Sequence, residues 1–352
     1  HMKRILLLIN CIWFFSCEDK SSYPEEPVLD WNNLDLSKDF ETGRLDVDGI
    51  DTGQLESGLE KAKDLDNFYA IAIIYKGRLI VEEYANGDRK TLYPVWSVTK
   101  SVLSALVGQS IDKGYLENET KSIGSFFPDV ADSIKRKITV RHLLTMSSGI
   151  SDNTGYMSEA YPLQFILDKD LLYPSGTWWN YTSAGTHVLS YLFTAATEKS
   201  ASNFALNNLF SKIGVSDYLW SEDAYGISNG GFGLRLRLVD MAKFGQLFLQ
   251  SGQSLGKEVI SSTWVKKSFD MTIPFNEEKS SGYGYLWWMR FLNGEKMIYA
   301  AGYGGQYIMV VPTRALVVAI TSSSQYSGEY GNDLNRIFYQ DIIGSFSRVD
   351  IQ

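Results

Sequence analysis

One stretch of the sequence constrains the fold more than any other. Residues 95–108 read VWSVTKSVLSALVG, in which a serine and a lysine introduce a long apolar run. Pro94 stands where a helix can begin, and the apolar residues behind Ser97 recur at helical spacing. Because almost no polar face is left, the pattern predicts a helix buried on nearly all sides, around which the chain must pack.

The serine and the lysine of this stretch have a chemical use if the helix is buried. Residues three apart share one helix face, so the Ser97 hydroxyl and the Lys100 ammonium point the same way. A serine is a weak nucleophile until a base takes its proton, and a lysine is a base only when burial and positive potential lower its pKa. A buried helix N-terminus supplies both conditions. The alternative is a capping serine beside a solvated lysine.

A second polar cluster lies in residues 178–185, WWNYTSAG, just before an apolar helix predicted over 188–196. A loop in this position can present the Tyr181 phenol and the Ser183 hydroxyl to a cleft. A nearby ammonium would lower the pKa of the phenol, and the resulting phenolate would be a base. The alternative is that Tyr181 packs among aromatic residues while a neighbouring hydroxyl caps the helix. Taken alone, the segment favours this alternative.

A third segment, residues 299–306, is rich in glycine and reads YAAGYGGQ. Glycine at the end of a strand, as at Gly302, lets another group approach the backbone closely. Backbone N–H groups at such a strand edge can bind an oxyanion. A glycine-rich hairpin turn explains the segment equally well.

Helix and strand patterns occur at both ends of the chain, and helical patterns dominate the middle. A helix over 51–66 and a β-hairpin over 69–84 precede the serine helix. The remaining predicted elements are helices over 138–149, 203–213, 238–249 and 332–343, and strands over 284–290, 296–301, 307–311 and 316–321.

This order of elements predicts an α+β fold, in which an antiparallel sheet is flanked by helices and interrupted by a helical domain. The predicted parts are a signal segment over 1–17, a linker over 18–45, an α/β domain over 46–115 plus 231–352, and a helical domain over 116–230.

Charge and cysteine content narrow the functional classes. The net charge is −8 and no Lys/Arg cluster is present, which argues against nucleic-acid partners. Residues 5–15 form an apolar run behind a basic pair, too short to span a bilayer. The only two cysteines, Cys11 and Cys17, lie in this leader, so the domain behind it is predicted to contain neither a disulfide nor a cysteine metal site.

Together the three segments resemble the family of serine β-lactamases, penicillin-binding proteins and related esterases and amidases. The resemblance is greatest to its class C branch, which includes the 6-aminohexanoate-dimer hydrolases, and it implies a β-lactamase/transpeptidase-like fold. Residues 97–100 resemble the S-x-x-K motif of that family, 181–183 resemble its Y-x-N motif, and 300–302 fall where it has K/H-T/S-G. Segments 139–149 and 233–247 resemble two further motifs of the family.

The resemblance implies a serine hydrolase that acts through an acyl-enzyme and needs no cofactor or metal. The substrate would be a small-molecule or short-peptide ester or amide. Ser97 would be the nucleophile, Lys100 would prime its proton transfer, and Tyr181 would relay a proton to the leaving group. The backbone N–H groups of Ser97 and Tyr303 would form the oxyanion hole, supported by Ser183, Gly302 and Gly304.

Two departures from the family motifs bear on the substrate. Ser183 stands in place of asparagine and Ala300 in place of a basic residue, and both family residues help to hold a β-lactam or its carboxylate. We therefore expect an esterase or amidase rather than an efficient β-lactamase. The alternatives are a β-lactamase or D,D-peptidase, or a catalytically silent binding or sensor domain. The residues expected to form an uncharged aromatic wall are Tyr299, Tyr303, Tyr307, Trp287 and Trp288.

A competing serine lies in residues 226–230, GISNG, which match the G-x-S-x-G nucleophile elbow. That motif requires a histidine further along the chain, but His142 and His187 both precede Ser228. We therefore expect Ser228 to be a loop residue, and the two histidines to lie in the core or on a helix surface.

The leader resembles a bacterial lipoprotein signal, in which Cys17 would carry the lipid and anchor the protein in the cell envelope. The alternative is an ordinary signal peptide that is cleaved nearby. Cys17→Ser is expected to release the protein from the membrane fraction, because several acyl chains anchor a protein firmly. Fractionation of cells that express each form checks this, and equal solubility of the two proteins would favour the ordinary signal peptide.

Overall fold

A computed structural model describes residues 30–292, 294–325 and 336–349. The whole predicted signal segment over 1–17, with Cys17, lies outside these residues, as do residues 18–29 of the predicted linker and part of the helix predicted over 332–343. No helix within the described ranges is long and apolar enough to cross a membrane.

The described residues contain the following elements. The α-helices are α1 (Thr52–Lys63), α2 (Val98–Asp112), α3 (Ile123–Phe126), α4 (Val140–Leu144), α5 (Pro162–Leu167), α6 (Ser183–Thr197), α7 (Ala201–Asn208), α8 (Leu238–Leu249) and α9 (Ser262–Phe269). The strands are β1 (Phe68–Tyr75), β2 (Arg78–Tyr84), β3 (Tyr93–Pro94), β4 (Leu219–Trp220), β5 (Leu234–Leu236), β6 (Gln253–Ser254), β7 (Lys257–Glu258), β8 (Ile273–Pro274), β9 (Ser281–Tyr283), β10 (Trp288–Leu292), β11 (Glu295–Gly302), β12 (Gln306–Val311) and β13 (Leu316–Ser322). Near the C-terminus, a π-helical segment spans Ile337–Ile342 and a 3₁₀ turn spans Ile343–Ser345.

Eight strands form one antiparallel sheet, in the order β2-β1-β13-β12-β11-β10-β9-β8. The predicted hairpin is its first pair, and Lys76 and Gly77 form the turn with positive φ angles of 48° and 81°. Such angles match the right-handed twist of a two-residue hairpin. Since β1 also pairs with β13, the two ends of the chain build one sheet. The predicted α+β fold with an antiparallel sheet is confirmed.

The sheet is buried on both faces, because side chains that alternate along a strand point to opposite sides. From Ala70 onward, the even-numbered residues of β1 join a larger core with α2 and α8, whereas the odd-numbered ones join a smaller core with α1 and the C-terminal segment. A register shift between Phe68 and Ala70 reverses this alternation at the start of the strand. The residues that face the larger core are Ala70, Ala72 and Ile74, and those that face the smaller core are Ile71, Ile73 and Tyr75.

Helix α2 lies in the larger core, as predicted, with thirteen of its fifteen residues buried. Its close packing depends on Gly108, where a Cβ atom would come within 2.3 Å of the Trp264 indole. Ser97 precedes the first helical residue as the N-cap, rather than lying in the first turn as predicted.

Several predicted bounds are wrong for identifiable backbone reasons. The helix predicted over 138–149 ends at Leu144, and left-handed φ angles at Met146 and Gly149 turn the chain away. The strand predicted over 284–290 is a turn followed by β10, because Leu286 has a φ of 61°. The helix predicted over 203–213 is α7 followed by a 3₁₀ turn, and the one predicted over 188–196 begins at Ser183.

Candidate active site

Ser97 is held at the start of α2 by a tightly bonded turn. The Trp96 carbonyl accepts hydrogen bonds from the Thr99 N–H at 3.0 Å and from the Thr99 hydroxyl at 2.6 Å. Trp96 has a φ of 48°, which is unfavourable for a bulky residue and persists only where the surroundings enforce it. Within the described part of the chain, the Ser97 N–H donates no hydrogen bond, so it remains available at the helix N-terminus.

Lys100 is buried, with 1% of its surface exposed, and its ammonium is surrounded by oxygen atoms that carry no full charge. The Lys100 Nζ donates to Ser97 Oγ at 3.0 Å, to Ser183 Oγ at 3.1 Å and to the Gly231 carbonyl at 2.7 Å. Among the described residues, no carboxylate forms a salt bridge with it. Burial lowers the pKa of Lys100 to about 7, although the nearby Asp152 carboxylate raises it. Near neutral pH the amine can therefore accept a proton.

Tyr181 lies against the same ammonium. The Lys100 Nζ is 4.7 Å from the centroid of its ring, and Trp288 stacks on that ring with centroids 5.7 Å apart. Burial raises the pKa of Tyr181 well above its usual range, and the Ser97 side chain beside it offsets this only partly. The predicted lowering of this pKa by the ammonium is therefore wrong. The group present at neutral pH is a phenol, which can donate a proton.

The loop that carries Tyr181 is fixed at both ends. The Asn180 N–H donates to the Met146 carbonyl at 2.7 Å, and Thr182 caps α6 by accepting from the Gly185 N–H at 3.0 Å. The capping hydroxyl that the sequence offered as an alternative is thus present, and Tyr181 faces Lys100 nevertheless. Ser183 does not cap the helix, since its hydroxyl lies against Lys100.

Asp152 belongs to this cluster and escaped the sequence analysis. Its Oδ1 accepts from the Ser183 N–H at 2.6 Å and from the Ala184 N–H at 3.3 Å, at the N-terminus of α6. The carboxylate therefore bonds to backbone groups and acts on Lys100 only through its field. Because α6 was predicted to begin at Val188, nothing in the sequence linked Asp152 to a helix N-terminus.

The end of β11 runs beside the segment that leads to Ser97. At Gly302 a Cβ atom would lie 2.3 Å from the Val95 carbonyl oxygen, so only glycine permits this approach. Tyr303 follows directly, about half exposed, with its ring edge-on to Trp96 at 5.7 Å. Gly304 turns the chain with a φ of 82°. An oxyanion hole formed by the N–H groups of Ser97 and Tyr303 stays a prediction that this arrangement allows.

The predicted aromatic wall is only partly correct. Trp287 is fully buried in the larger core, and Tyr299 and Tyr307 pack against the smaller core. Trp288 and Tyr303 do lie beside the cluster, where Trp288 stacks on Tyr181 and Tyr303 meets Trp96. Trp96, next to Ser97, contacts Phe232 and Tyr303. Tyr181 contacts Trp179 and Trp288. Ala300 is buried and presents only a methyl group.

Ser228 lies in an irregular loop, as expected, and is fully buried. Its Oγ accepts from the Ser202 N–H at 3.0 Å, so it supports packing. His142 completes the capping box of α4, and His187 is buried beside Asp223. These residues match the expected structural roles and not a nucleophile elbow.

Comparisons with known proteins identify the family of the chain. A family model described as Beta-lactamase matches residues 69–338. The 6-aminohexanoate-dimer hydrolase of Paenarthrobacter ureafaciens is 25% identical over 262 residues, which are 63% of this chain and 61% of that protein.

Solved structures share the fold. A Bacillus anthracis protein, provisionally assigned as a 6-aminohexanoate-dimer hydrolase, superposes with a TM-score of 0.75 at 19% identity, covering 88% of each chain. A D-stereospecific amidohydrolase from Streptomyces gives 0.65 at 15% identity, over 83% of this chain and 98% of that one. A class C beta lactamase from Rhodobacter sphaeroides gives 0.64 at 13%, over 83% and 97%. At these identities the similarity shows the fold alone.

The field of Asp152 on Lys100 can be tested without an assay of activity. Asp152→Asn keeps an oxygen that accepts from the α6 N-terminus and removes the negative charge, so the pKa of Lys100 should fall below its value of about 7. The ¹³Cε resonance of Lys100, assigned with Lys100→Arg, reports this titration. An unchanged or higher midpoint would show that Asp152 does not act on the lysine.

Proposed function

Because the chain belongs to the beta-lactamase family, we propose that it is a serine hydrolase that cleaves an ester or amide through an acyl-enzyme on Ser97. The observation that carries this proposal is the buried Lys100 amine, 3.0 Å from Ser97 Oγ and with its pKa lowered to about 7. A lysine in this state can take the serine proton at neutral pH.

In the first half-reaction, Ser97 Oγ attacks the substrate carbonyl carbon while Lys100 Nζ takes the hydroxyl proton. The Ser97 and Tyr303 N–H groups stabilise the oxyanion that forms. When this intermediate collapses, the bond to the leaving group breaks and the Tyr181 phenol protonates the departing oxygen or nitrogen. Tyr181 regains a proton from the Lys100 ammonium, which leaves the lysine neutral and Ser97 acylated.

In the second half-reaction, water attacks the acyl carbon and passes its proton to Lys100 directly or by way of Tyr181. Collapse of the intermediate breaks the ester bond, and the proton returns to Ser97 Oγ as the carboxylic acid leaves. The protons and atoms transferred in these steps belong to the substrate, the water and the three side chains. Both proposed half-reactions therefore balance without another reactant.

The surroundings of Ser97 favour an uncharged acyl donor. Ala300 offers no charge to a substrate carboxylate, and a charge-assisted hydrogen bond is the strong kind. Trp96, Phe232 and Tyr303 present aromatic surface on the side of the nucleophile instead. The relative named for hydrolysis of the 6-aminohexanoate dimer supports inclusion of amides among the substrates. The predicted lipid anchor at Cys17 would place the reaction in the bacterial cell envelope.

Ser97→Ala is expected to abolish hydrolysis of p-nitrophenyl esters and labelling by a fluorophosphonate probe. The fold should persist, because loss of one hydroxyl costs about 1 kcal/mol of stability. Ser228→Ala is the matched control and should retain both activities. Retention in Ser97→Ala with loss in Ser228→Ala would reverse the assignment, and a wild-type protein that is neither labelled nor active would indicate a silent binding domain.

Tyr181→Phe should reduce kcat by about a hundredfold or more, because it removes a positioned proton donor. The ring would still stack on Trp288, so the melting temperature should change little. Tyr285→Phe, which removes another buried phenol, is the control for a general effect on packing. A Tyr181→Phe rate within a few-fold of wild type would leave Lys100 as the only proton-transfer group.

We expect kcat/KM for p-nitrophenyl butyrate to exceed that for nitrocefin, a cephalosporin that carries a carboxylate. The reason is that Ala300 cannot bind that carboxylate. Steady-state kinetics on both substrates with the same preparation decide the point. A nitrocefin value equal to or above that of the ester would identify a β-lactamase.

A further inference from the structure

The shortest hydrogen bond of Lys100 goes to a group that no regular element holds in place. The Lys100 Nζ donates to the Gly231 carbonyl at 2.7 Å, and Gly231 lies in the irregular segment 229–232 between β4 and β5. This segment is called the carbonyl loop below. A carbonyl in a loop points in a fixed direction only if other groups fix the peptide units around it.

Asn229 fixes the carbonyl loop from within. Its side chain is fully buried, and its Oδ1 accepts from the Gly231 N–H at 2.9 Å and from the Phe232 N–H at 3.2 Å. The same oxygen accepts from the Tyr156 hydroxyl at 3.1 Å. An asparagine that bonds backbone N–H groups two and three residues ahead builds a turn of defined shape. The Gly231 carbonyl shares a peptide unit with the Phe232 N–H, so these bonds restrict the rotation of that carbonyl.

His187 fixes the same loop from α6. Its Nδ1 accepts from the Gly230 N–H at 3.4 Å, and its Nε2 lies 3.1 Å from Asp223 Oδ2. These partners assign the proton to Nε2, which donates to the carboxylate. The side chains of His187 and Asp223 are both fully buried, and Tyr156 stacks on the imidazole with ring centroids 4.5 Å apart.

Asp223 is a carboxylate at neutral pH and so remains an acceptor for His187. Burial alone would raise its pKa, but hydrogen bonds from His187, Tyr191 and the N–H groups of Tyr225 and Ile227 hold that pKa below its usual value.

The carbonyl loop also packs directly on the first turn of α6. At Gly230 a Cβ atom would come within 2.1 Å of the Thr186 carbonyl oxygen, and at Gly231 within 2.7 Å of the Ser183 Cβ. Two of the three acceptors of Lys100, the Ser183 hydroxyl and the Gly231 carbonyl, therefore sit on one rigid unit.

We propose that Asn229 and His187 are positioning residues, which fix the carbonyl loop so that the Gly231 carbonyl holds the Lys100 ammonium against the Ser97 hydroxyl. The inference rests on the proposed function, because it assigns these residues to the preparation of the same nucleophile. They act through Lys100 and do not touch the reacting atoms.

The direction of the effect on Lys100 follows from its other partners. Among the residues that the structure describes, Asp152 and Tyr181 are the titratable groups that act on the lysine or lie against it, and neither is hydrogen-bonded to Asn229 or His187. A carbonyl oxygen stabilises the ammonium more than the neutral amine, since bonds from a charged donor are stronger. Displacement of the Gly231 carbonyl should therefore lower the pKa of Lys100.

Asn229→Ala tests the first residue. We expect the midpoint of the Lys100 ¹³Cε titration, and of the acid limb of kcat/KM, to fall by about half a pH unit or more. We also expect kcat to fall by roughly tenfold to a hundredfold with little change in KM, because a misplaced proton acceptor slows chemistry rather than binding. Thr197→Val removes a buried hydroxyl at the far end of α6 and should leave both midpoints unchanged.

Two substitutions of His187 form a matched pair. Their comparison separates the role of Nδ1 from a general loss of stability, which both variants would share. His187→Asn keeps an acceptor where Nδ1 meets the Gly230 N–H, whereas His187→Gln keeps only a donor toward Asp223. The Lys100 midpoint should be lower in the glutamine variant than in wild type. In the asparagine variant it should stay close to the wild-type value. Equal midpoints in both variants, no shift in Asn229→Ala, or a shift upward as water reaches the lysine would overturn the proposal.

The NMR titration separates this inference from the proposed function. If wild-type protein hydrolyses no ester or amide, the hydrolase assignment fails, whatever the variants do to the lysine. If wild-type protein is active and the midpoints do not move, only the positioning role fails.

Discussion

The structure depends on one unfavourable arrangement, the burial of the Lys100 amine without a carboxylate partner. Removal of an ammonium from water costs several kcal/mol unless polar groups replace its hydration. Three oxygens do so here, and they come from the N-cap of α2, from the start of α6 and from the carbonyl loop. No single segment could supply them, so the fold has to bring three distant parts of the chain within about 3 Å of one nitrogen. The groups around Lys100 therefore belong both to the candidate site and to the buried core.

Glycine makes this convergence possible where side chains would block it. Gly302 allows the end of β11 to pass the Val95 carbonyl. Gly230 and Gly231 allow the carbonyl loop to lie on α6. Gly108 likewise admits the Trp264 indole against α2. At each of these positions a Cβ atom would meet another atom at less than 3 Å, so a larger residue would force its neighbours to shift. Close backbone approaches thus help to position the groups of the candidate site.

Local patterns in the sequence correctly predicted the elements whose structure depends mainly on neighbouring residues. The apolar run behind Ser97 can only be a buried helix, and the hairpin around Gly77 follows from alternation and turn chemistry. The failures arose where the backbone angle of a single residue or a contact with a distant residue changed the bounds of an element. The left-handed Leu286 splits a predicted strand. The start of α6 at Ser183 combines the local Thr182 cap with a contact from Asp152, thirty-one residues earlier. The carbonyl of Gly231 could not be anticipated, because a backbone acceptor leaves no signature in a sequence.

The position of Asp152 explains how Lys100 keeps a pKa of about 7, at which both its amine and its ammonium are present near neutral pH. In a direct ion pair, the carboxylate would hold the lysine protonated and unable to accept a proton. With no negative charge nearby, burial would drive the pKa lower still, and the proposed mechanism would then have little ammonium to return a proton to Tyr181. Asp152 lies between these extremes, because its oxygen is bonded to the N–H groups of Ser183 and Ala184 and not to the ammonium. Its field therefore offsets only part of the effect of burial, and the pKa of Lys100 lies at about 7.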